Sequence, residues 1–473
     1  MKTLFLNPPS FEGFDGGAGS RYQARREIRS FWYPTWLAQP AALVPDSKLI
    51  DAPARGIPPE QILPLANDYE LVVMHTSTPS FANDVKFAEA LKDINPRIMI
   101  GLVGAHVAVN PEPSILASAA IDFVARNEFD YTIAEVAQGK PLAEIDGLTY
   151  KVDGTAVHNK ERALVMDMDA LPSVIDVYQR DLVVEDYFIG YLEHPYVSFY
   201  TGRGCKSRCT FCLWPQTIGG HKYRVRSPAA IVEDIKKIQA YFPQVKEVFF
   251  DDDTFTDNLP RAEETARLLG KLGITWSCNA KANVPYETLK VMKENGLRLL
   301  LVGYETGNQN ILFNIKKGMR TEFARRFTAD CHKLDIKIHG TFIIGLPGET
   351  KATIKETIDF AKEINPHTIQ VSLAAAYPGT FLYKQAQENG WLRKETGSLV
   401  ADNGLQISSL EYSHLSHEEI FESLAEFYKR FYFRPGKIAE ITWEMLQSWE
   451  MTKRRLREGV EFVHFLNQRA DSI

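Results

Sequence analysis

Three of the chain's five cysteines crowd into one stretch, GCKSRCTFC, as Cys205, Cys209 and Cys212. The spacing is C-x3-C-x2-C, directly after an apolar run that reads as a strand. Three thiolates on one tight loop can hold three irons of a [4Fe–4S] cube, which ordinarily takes four cysteines. A missing fourth ligand leaves one iron open to a small molecule, the logic that separates catalytic from structural zinc sites. Zinc, with His194 or His221 as fourth ligand, and simple buried thiols are the alternatives. Zinc sites usually show paired C-x2-C knuckles, so the cluster is preferred. Phe211, between the last two cysteines, would shield it from water. The other two cysteines, Cys278 and Cys331, stand alone, and Cys278 reads as a packed core thiol rather than a ligand.

A loop of this kind needs rigid elements to hold it. In the first 150 residues, apolar runs at 3–7, 48–52, 71–76, 97–103 and 121–126 alternate with helical patterns such as 81–92. This order predicts a parallel sheet with crossover helices, whose ligands sit at the carboxyl ends of the strands. The loops there are 8–22, 76–81 and 104–113. Residues 151–194 read as a linker, interrupted by Gly154 and a charged stretch at 160–162. Strand patterns then recur at 197–201, 245–250, 274–279, 298–303, 337–344 and 368–374, separated by helical patterns such as 228–241 and 286–294. Six β/α units over 195–395 predict a partial or full barrel with functional residues at the C-terminal strand ends. Residues 396–473 read as a helical C-terminal region. The fold class expected is therefore α/β: a Rossmann-like or flavodoxin-like parallel sheet, then a (β/α)6 barrel, then helices.

CxxxCxxC with an aromatic before the last cysteine resembles the radical S-adenosylmethionine (SAM) enzymes. The resemblance extends over nearly the whole chain, because a flavodoxin-like domain before the barrel looks like the cobalamin-binding-domain class of that superfamily. It implies a [4Fe–4S] cluster on Cys205, Cys209 and Cys212. The open iron would chelate the amino and carboxylate groups of SAM, whose cleavage gives a 5′-deoxyadenosyl radical. It also implies an electron donor such as flavodoxin or ferredoxin.

Other strand ends fit the same resemblance. Asp251 opens the run DDDTF after the second barrel strand, where the family holds the SAM amine; a helix cap or a solvated acidic turn is an equal reading. Lys281 follows the third strand where relatives often place an arginine facing the SAM carboxylate, although lysine lacks the planar fork. Glu305, in GYETG, resembles the family's G-x-E-S/T-G element and would meet a ribose hydroxyl or the SAM amine. Gly345, Gly348 and Glu349, in GLPGET, would flank adenine, or form a strand-to-helix turn with Glu349 in the first helical turn. Lys316 and Lys317 read as a solvated helix end. No side chain is assigned as catalytic.

The first domain lacks the Asp-x-His-x-x-Gly loop whose histidine ligates cobalt in the best-known cobalamin domains. His75 and His106 lie near strand ends without that spacing, and a lone histidine is more often structural. Cobalamin binding is therefore allowed but not required. The string NPPSFEGFDGGAGSRYQARREIRSFWYPTWLAQPAALVP, residues 7–45, looks like the hopanoid-biosynthesis-associated radical SAM proteins of bacteria. That resemblance implies an amphiphilic hopanoid-type substrate and radical ring contraction of a side-chain glucosamine to a cyclitol ether. The competing enzyme reading is a cobalamin-dependent radical methyltransferase on an unactivated carbon. From a different class, a zinc-binding scaffold would use the same cysteines.

Composition bounds the partners. Lys and Arg total 54 against 60 Asp and Glu, a formal charge of −6, which gives no electrostatic case for a nucleic-acid binder. No run reaches the roughly 18 apolar residues of a spanning helix, and the apolar stretch of MKTLFLNPPS is short for a secretory signal. The chain reads as cytoplasmic. In the tail, 427–434 interleaves aromatics with bases, and Trp443, Met445, Leu446 and Trp449 precede Lys453, Arg454 and Arg455. Such a pattern suits an interfacial helix giving peripheral membrane contact, or an amphiphilic substrate. A core-packed terminal helix with a basic outer face is the preferred reading.

Overall fold

The computed structural model describes residues 1–13, 28, 30–393, 399–401 and 404–470. Residues 14–27 and 29 of the 7–45 string lie outside the described residues.

The first sheet is built from β1 (Thr3–Asn7), β2 (Ser47–Asp51), β3 (Leu71–His75), β4 (Met99–Val103) and β5 (Phe123–Ala125), all parallel. Helices cover both faces, so β1 and β3 are buried at every position and read as unbroken apolar runs. The 151–194 linker begins differently from expectation. β6 (Leu148–Val152) and β7 (Thr155–His158) form a hairpin that adds two antiparallel strands, giving the order β2-β1-β3-β4-β5-β6-β7. Its turn is Asp153-Gly154, with φ of 50° and 78°, the left-handed pair that matches strand twist in two-residue hairpins.

The second half starts with β8 (Tyr196–Phe199). A short antiparallel pair, β9 (Gly202–Arg203) and β10 (Arg224–Val225), brackets the cysteine loop. β11 (Glu247–Phe250), β12 (Trp276–Ala280), β13 (Leu297–Glu305), β14 (Lys337–Ile344) and β15 (Thr368–Leu373) follow, each separated from the next by a helix. The six long strands form one all-parallel sheet in chain order, β15-β14-β13-β12-β11-β8, a curled half-barrel with β8 and β15 as its edges. The expected helices at Pro228–Tyr241 and Tyr286–Glu294 are present with those bounds.

Exposed strand edges must be covered or satisfied. Here buried tyrosine hydroxyls do part of this at both edges. Tyr33 donates to Tyr196 O at 2.7 Å and Tyr178 to Ser198 O at 3.0 Å along β8. Along β15, Tyr428 and Tyr432 of the His417–Tyr432 helix each accept a backbone N–H at 2.9 Å, from Val371 and Ile369. The helix is therefore tied to the barrel edge as well as packed on it: Phe427, Tyr428 and Phe431 are buried. The Pro435–Gln447 and Trp449–Ala470 helices complete the chain. Among the described residues no helix is long and apolar enough to cross a membrane.

Candidate active site at the cysteine loop

The loop is fixed from below by one carboxylate. Asp252, at the end of β11, accepts from Thr201 N (2.5 Å), the Thr201 hydroxyl (2.8 Å), Gly202 N (3.0 Å) and the Tyr223 hydroxyl (2.7 Å). Arg261 bonds Thr201 O at 2.8 Å and approaches the same carboxylate. A buried charge is tolerable only when its lone pairs are met in this way. Gly204 has φ 88° and packs so tightly that a Cβ there would stand 2.4 Å from Lys222 O.

From above, the first domain grips the same hairpin. Arg203 makes a bidentate pair with Asp130 (2.6 and 3.0 Å), and Arg224 one with Glu128 (2.7 Å at both contacts). All four side chains are almost fully buried. Trp36 lies 4.6 Å beneath the Arg203 guanidinium and stacks on Trp214. The two halves thus meet through planar Arg–carboxylate forks, which fix angle as well as distance.

On this frame the three thiols are neighbours. Cys205 and Cys209 are buried and Cys212 is half-buried. Burial pushes the Cys212 thiol well up, with Asp253, Cys209 and Cys205 adding to it. Burial also raises Cys209, opposed by the ammonium of Lys317. The Gln216 amide holds the loop's carbonyls, donating to Cys209 O at 3.1 Å and Cys212 O at 2.7 Å. His221 is turned to the Cys205 carbonyl at 3.2 Å, and His194 lies before β8, at the opposite end of that strand from the loop. Among the described residues no three His, Cys, Asp or Glu side chains are grouped so as to hold a metal ion, and His194 is not placed to complete a zinc site. Cys278 is fully buried in the barrel core.

The remaining sequence candidates separate into two groups. Asp251 is bonded by the Asn279 amide at 3.4 Å and burial holds its carboxyl well above the usual range; its neighbour Asp253 bonds Gly204 N and is pushed up to about 6. Glu305 ends β13 at φ 64°, is 6% exposed, and pairs with Lys317 at 2.5 Å. A Cβ on Gly303 would fall 2.4 Å from the Glu305 carboxylate and 2.8 Å from Lys317 Nζ, so glycine makes the room for this pair. Lys281 is paired with Asp257 at 2.6 Å and also reaches the field of Cys209.

The turn at 345–349 faces elsewhere. Glu349 accepts from Gly345 N (2.7 Å) and Leu346 N (3.0 Å), so its carboxylate closes its own turn, and burial pushes it up to about 8. Tyr412 bonds Gly345 O, His414 bonds Glu349 O, and Gly348 lines a cavity of about 370 Å³ with Asn314 and Trp391.

Sequence reasoning missed Lys317, Asp252, Glu128 and Asp130. Lys316 does face outward, over the Phe381 ring, whereas Lys317 is turned inward to Glu305, its side chain only 16% exposed. No pattern in the sequence tells the two lysines apart.

The parallel sheet of the first domain turns its strand ends to this site. The Ala105–Val109 helix packs on the Leu213–Thr217 helix that follows Cys212. His75 is 2% exposed beneath Gly104. His106 is bonded to the Thr78 hydroxyl at 3.1 Å and stacked on Phe81, and burial pulls it down to about 4. Both rings are engaged in the domain's own packing, which does not fit the role of a cobalt ligand.

Residues 199–361 match the model of the Radical SAM superfamily. These residues form a radical SAM domain, and the chain is an enzyme. Across most of its length it is also similar to methyltransferases. An uncharacterized methyltransferase of Pyrococcus horikoshii is 28% identical over 459 residues, 92% of this chain and 93% of that protein. The bacteriochlorophyllide d C-8(2)-methyltransferase of Chlorobaculum tepidum is 23% identical over 374 residues, 76% and 78% of the two chains. Among solved structures, the radical SAM methyltransferase TsrM of Kitasatospora setae, with cobalamin and a [4Fe–4S] cluster bound, superposes with a TM-score of 0.68 at 13% identity, covering 92% of this chain and 89% of that one. The cobalamin-dependent SAM radical enzyme OxsB does so at 0.70 and 14%, covering 96% and 71%. The α/β fold, with its parallel N-terminal sheet, half-barrel and helical C-terminus, is that of these radical SAM structures.

Radical SAM enzymes use a [4Fe–4S] cluster and SAM. The donor types fit: three thiols lie on one loop with the Lys317 ammonium in their field, although among the described residues the three are not drawn together at metal-holding distance.

Proposed function

We propose that this radical SAM enzyme is a cobalamin-assisted methyltransferase acting on an unactivated carbon of an amphiphilic small molecule. The observation that carries this reading is similarity to methyltransferases along almost the whole chain, N-terminal sheet included. Radical ring contraction of a hopanoid glucosamine, expected from the 7–45 string, draws no support from these relatives.

In this reading Cys205, Cys209 and Cys212 hold the cluster, and Asp251 and Glu305 position SAM. Lys281 adds positive charge at the same rim, tempered by Asp257. Gly345 and Gly348 are not assigned to adenine in this reading: a Cβ on either would meet Ile420 or Asn314, and with Glu349 they keep the turn's shape. When bound, the cluster supplies the electron that cleaves SAM, and cobalamin supplies a methyl carrier. Lys317 counters the negative charge of the thiolates inside a dry site, where such a charge acts strongly. A cobalamin in this enzyme is held without a histidine on cobalt, since His75 and His106 serve the fold. The electron comes from a partner such as flavodoxin or ferredoxin.

Support for peripheral membrane contact, on the cytoplasmic side, comes from the last two helices. Trp443, Leu446, Trp449 and Val460 are 67%, 76%, 69% and 71% exposed, with Lys453 over the Trp449 ring. The preferred reading of the tail as a core-packed helix describes the His417–Tyr432 helix and also the Trp449–Ala470 helix at Phe465 and Leu466, which are buried in the core.

The test is anaerobic reconstitution with SAM, a reductant and a bacterial lipid extract, with and without cobalamin. Methyl transfer to an unactivated carbon spends two SAM: one gives up its methyl group and leaves as S-adenosylhomocysteine, and the other, cleaved by one electron, takes the carbon's hydrogen and leaves as 5′-deoxyadenosine and methionine. Both products in step, with S-adenosylhomocysteine formed only when cobalamin is present, are the expected result. Formation of 5′-deoxyadenosine alone, indifferent to cobalamin, overturns the reading in favour of ring contraction.

A further inference from the structure

Below the cysteine loop the half-barrel contains two cavities. The upper one, about 380 Å³, is bounded by Phe211 and Asn279 on the cluster side and by Thr341 and Ile343 on the wall. The lower one, about 320 Å³, lies between the N-terminal ends of β14 and β15 and the last two helices. Its lining is dominated by Ile189, Ile369, Ile438, Ile441, Phe462 and Val463. Each has the size of a small-molecule site. Protein interiors hold few voids larger than a water molecule, so neither is a packing defect.

The two cavities share Trp32 and Gln370 in their linings. The strands explain why the two are adjacent. Side chains alternate along a strand, so His339, Thr341 and Ile343 of β14 line one face in succession. His339 borders the lower cavity and the other two border the upper. At ~3.3 Å per residue, these four steps span roughly 13 Å.

Among the described residues the lower cavity offers no free charge. Arg455 and Glu458 stand in its wall but pair with each other at 2.9 Å; Arg455 also bonds Glu444 at 2.7 Å, and Arg454 bonds Glu458 at 2.9 Å. His339 is stacked on Tyr191 at 3.9 Å. An ionic or strongly hydrated group would lose its water here without replacement, whereas hydrocarbon gains by leaving water. The mouth is open to solvent through Ile438 and Val463, 47% and 48% exposed.

From this geometry we infer that the lower cavity is the binding site for the hydrocarbon portion of the substrate. The functionalised end then passes Trp32 and Gln370 to lie beside Phe211 and Asn279. The inference rests on the proposed function for the identity of the upper cavity as the reaction chamber. It commits the substrate class to an amphiphile with an extended or polycyclic apolar body.

The experiment is equilibrium binding of a dansyl-labelled long-chain fatty acid to the anaerobically reconstituted protein, with displacement by unlabelled straight-chain alcohols. Saturable binding is expected, with displacement that strengthens as the alcohol lengthens. Val463→Trp at the mouth and Ile441→Trp in the wall should each weaken it about tenfold or more. Val460→Trp, on the outward face of the same helix and outside the lining, should leave it unchanged. Non-saturable binding, equal affinity in all variants, or equal loss in Val460→Trp would overturn the inference. Should either lining variant fail to fold, the chain-length dependence in the unmodified protein decides. Probe binding needs neither turnover nor cobalamin, so its failure is distinct from failure of the methyl-transfer reading.

Discussion

Lys317 Nζ lies 2.5 Å from Glu305 Oε1, and this pair stands beside the thiol of Cys209. Neither residue would be stable there alone. Glu305 occupies a left-handed backbone conformation that a non-glycine residue adopts only when its surroundings hold it. Lys317 is desolvated, and its ammonium is retained by Glu305 first and by the cysteine thiols after it.

Lys317→Met leaves the Glu305 carboxylate buried without a partner, an imbalance that costs about 3–5 kcal/mol in other proteins. A fall of that order in denaturant stability is expected, together with reduced iron retention after reconstitution. Glu305→Gln is milder. It should keep the cluster and weaken SAM binding, measured by equilibrium dialysis on the reconstituted enzyme. Unchanged SAM affinity in that variant would mean Glu305 serves only the fold.

The forks from Asp130 to Arg203 and from Glu128 to Arg224 tie the first domain to the hairpin that carries the cysteines. Asp130→Ala removes the bidentate partner of Arg203 and leaves it only Glu128 at 3.7 Å, so the expected loss is about 3 kcal/mol, the low end for a broken buried pair. Because Arg203 stands two residues before Cys205, iron content should fall along with stability. A variant that loses stability but binds iron as well as the parent would separate the interface from the cluster loop.

How much of this was legible in the sequence depends on the range of the interaction. The C-x3-C-x2-C loop, the eleven expected strand patterns and the half-barrel follow from local spacing and periodicity, and the strands lie within a few residues of expectation. The β6–β7 hairpin was legible but passed over: Asp-Gly between KV and TAVH is a hairpin signal that reading 151–194 as a linker obscured. What local spacing could not supply is pairing across distance. Lys317 meets Glu305 twelve positions away, Arg203 meets Asp130 across 73, and Arg224 meets Glu128 across 96. Glu349 shows the opposite failure. Its place at a strand end suggested a ligand contact, yet one of its carboxylate oxygens is taken within five residues by its own turn.

The outward apolar positions of the last two helices give a membrane test. Trp443 and Trp449 flank the bend between these helices and are largely exposed, so replacing both by serine should leave stability within about 0.5 kcal/mol. Co-flotation with anionic phospholipid vesicles should drop several-fold, because indole rings and a neighbouring lysine are the groups that anchor interfacial helices. Equal flotation of parent and variant would remove this surface as a membrane contact.

The last expectation concerns pH. Glu349 is fully buried and its carboxyl is pushed up to about 8 from an ordinary value of 4.5, against the pull of two backbone N–H groups. Below the ordinary value the acid is protonated in both folded and unfolded chains, and contributes no pH dependence. Between about 4.5 and about 8 the unfolded chain releases the proton while the folded chain keeps it. Stability therefore declines through that window, at most by about 1.4 kcal/mol per pH unit, and then levels off. Glutamine can accept from Gly345 N and Leu346 N without titrating, although its amide occupies the place of Oε1, which has no hydrogen-bond partner. Glu349→Gln should accordingly lie near or below the parent in urea stability at about pH 5 and gain on it steadily toward about pH 9. A stability difference between the two proteins that stays constant across this range would show that Glu349 is ionised in the folded chain and that its two amide bonds outweigh its burial.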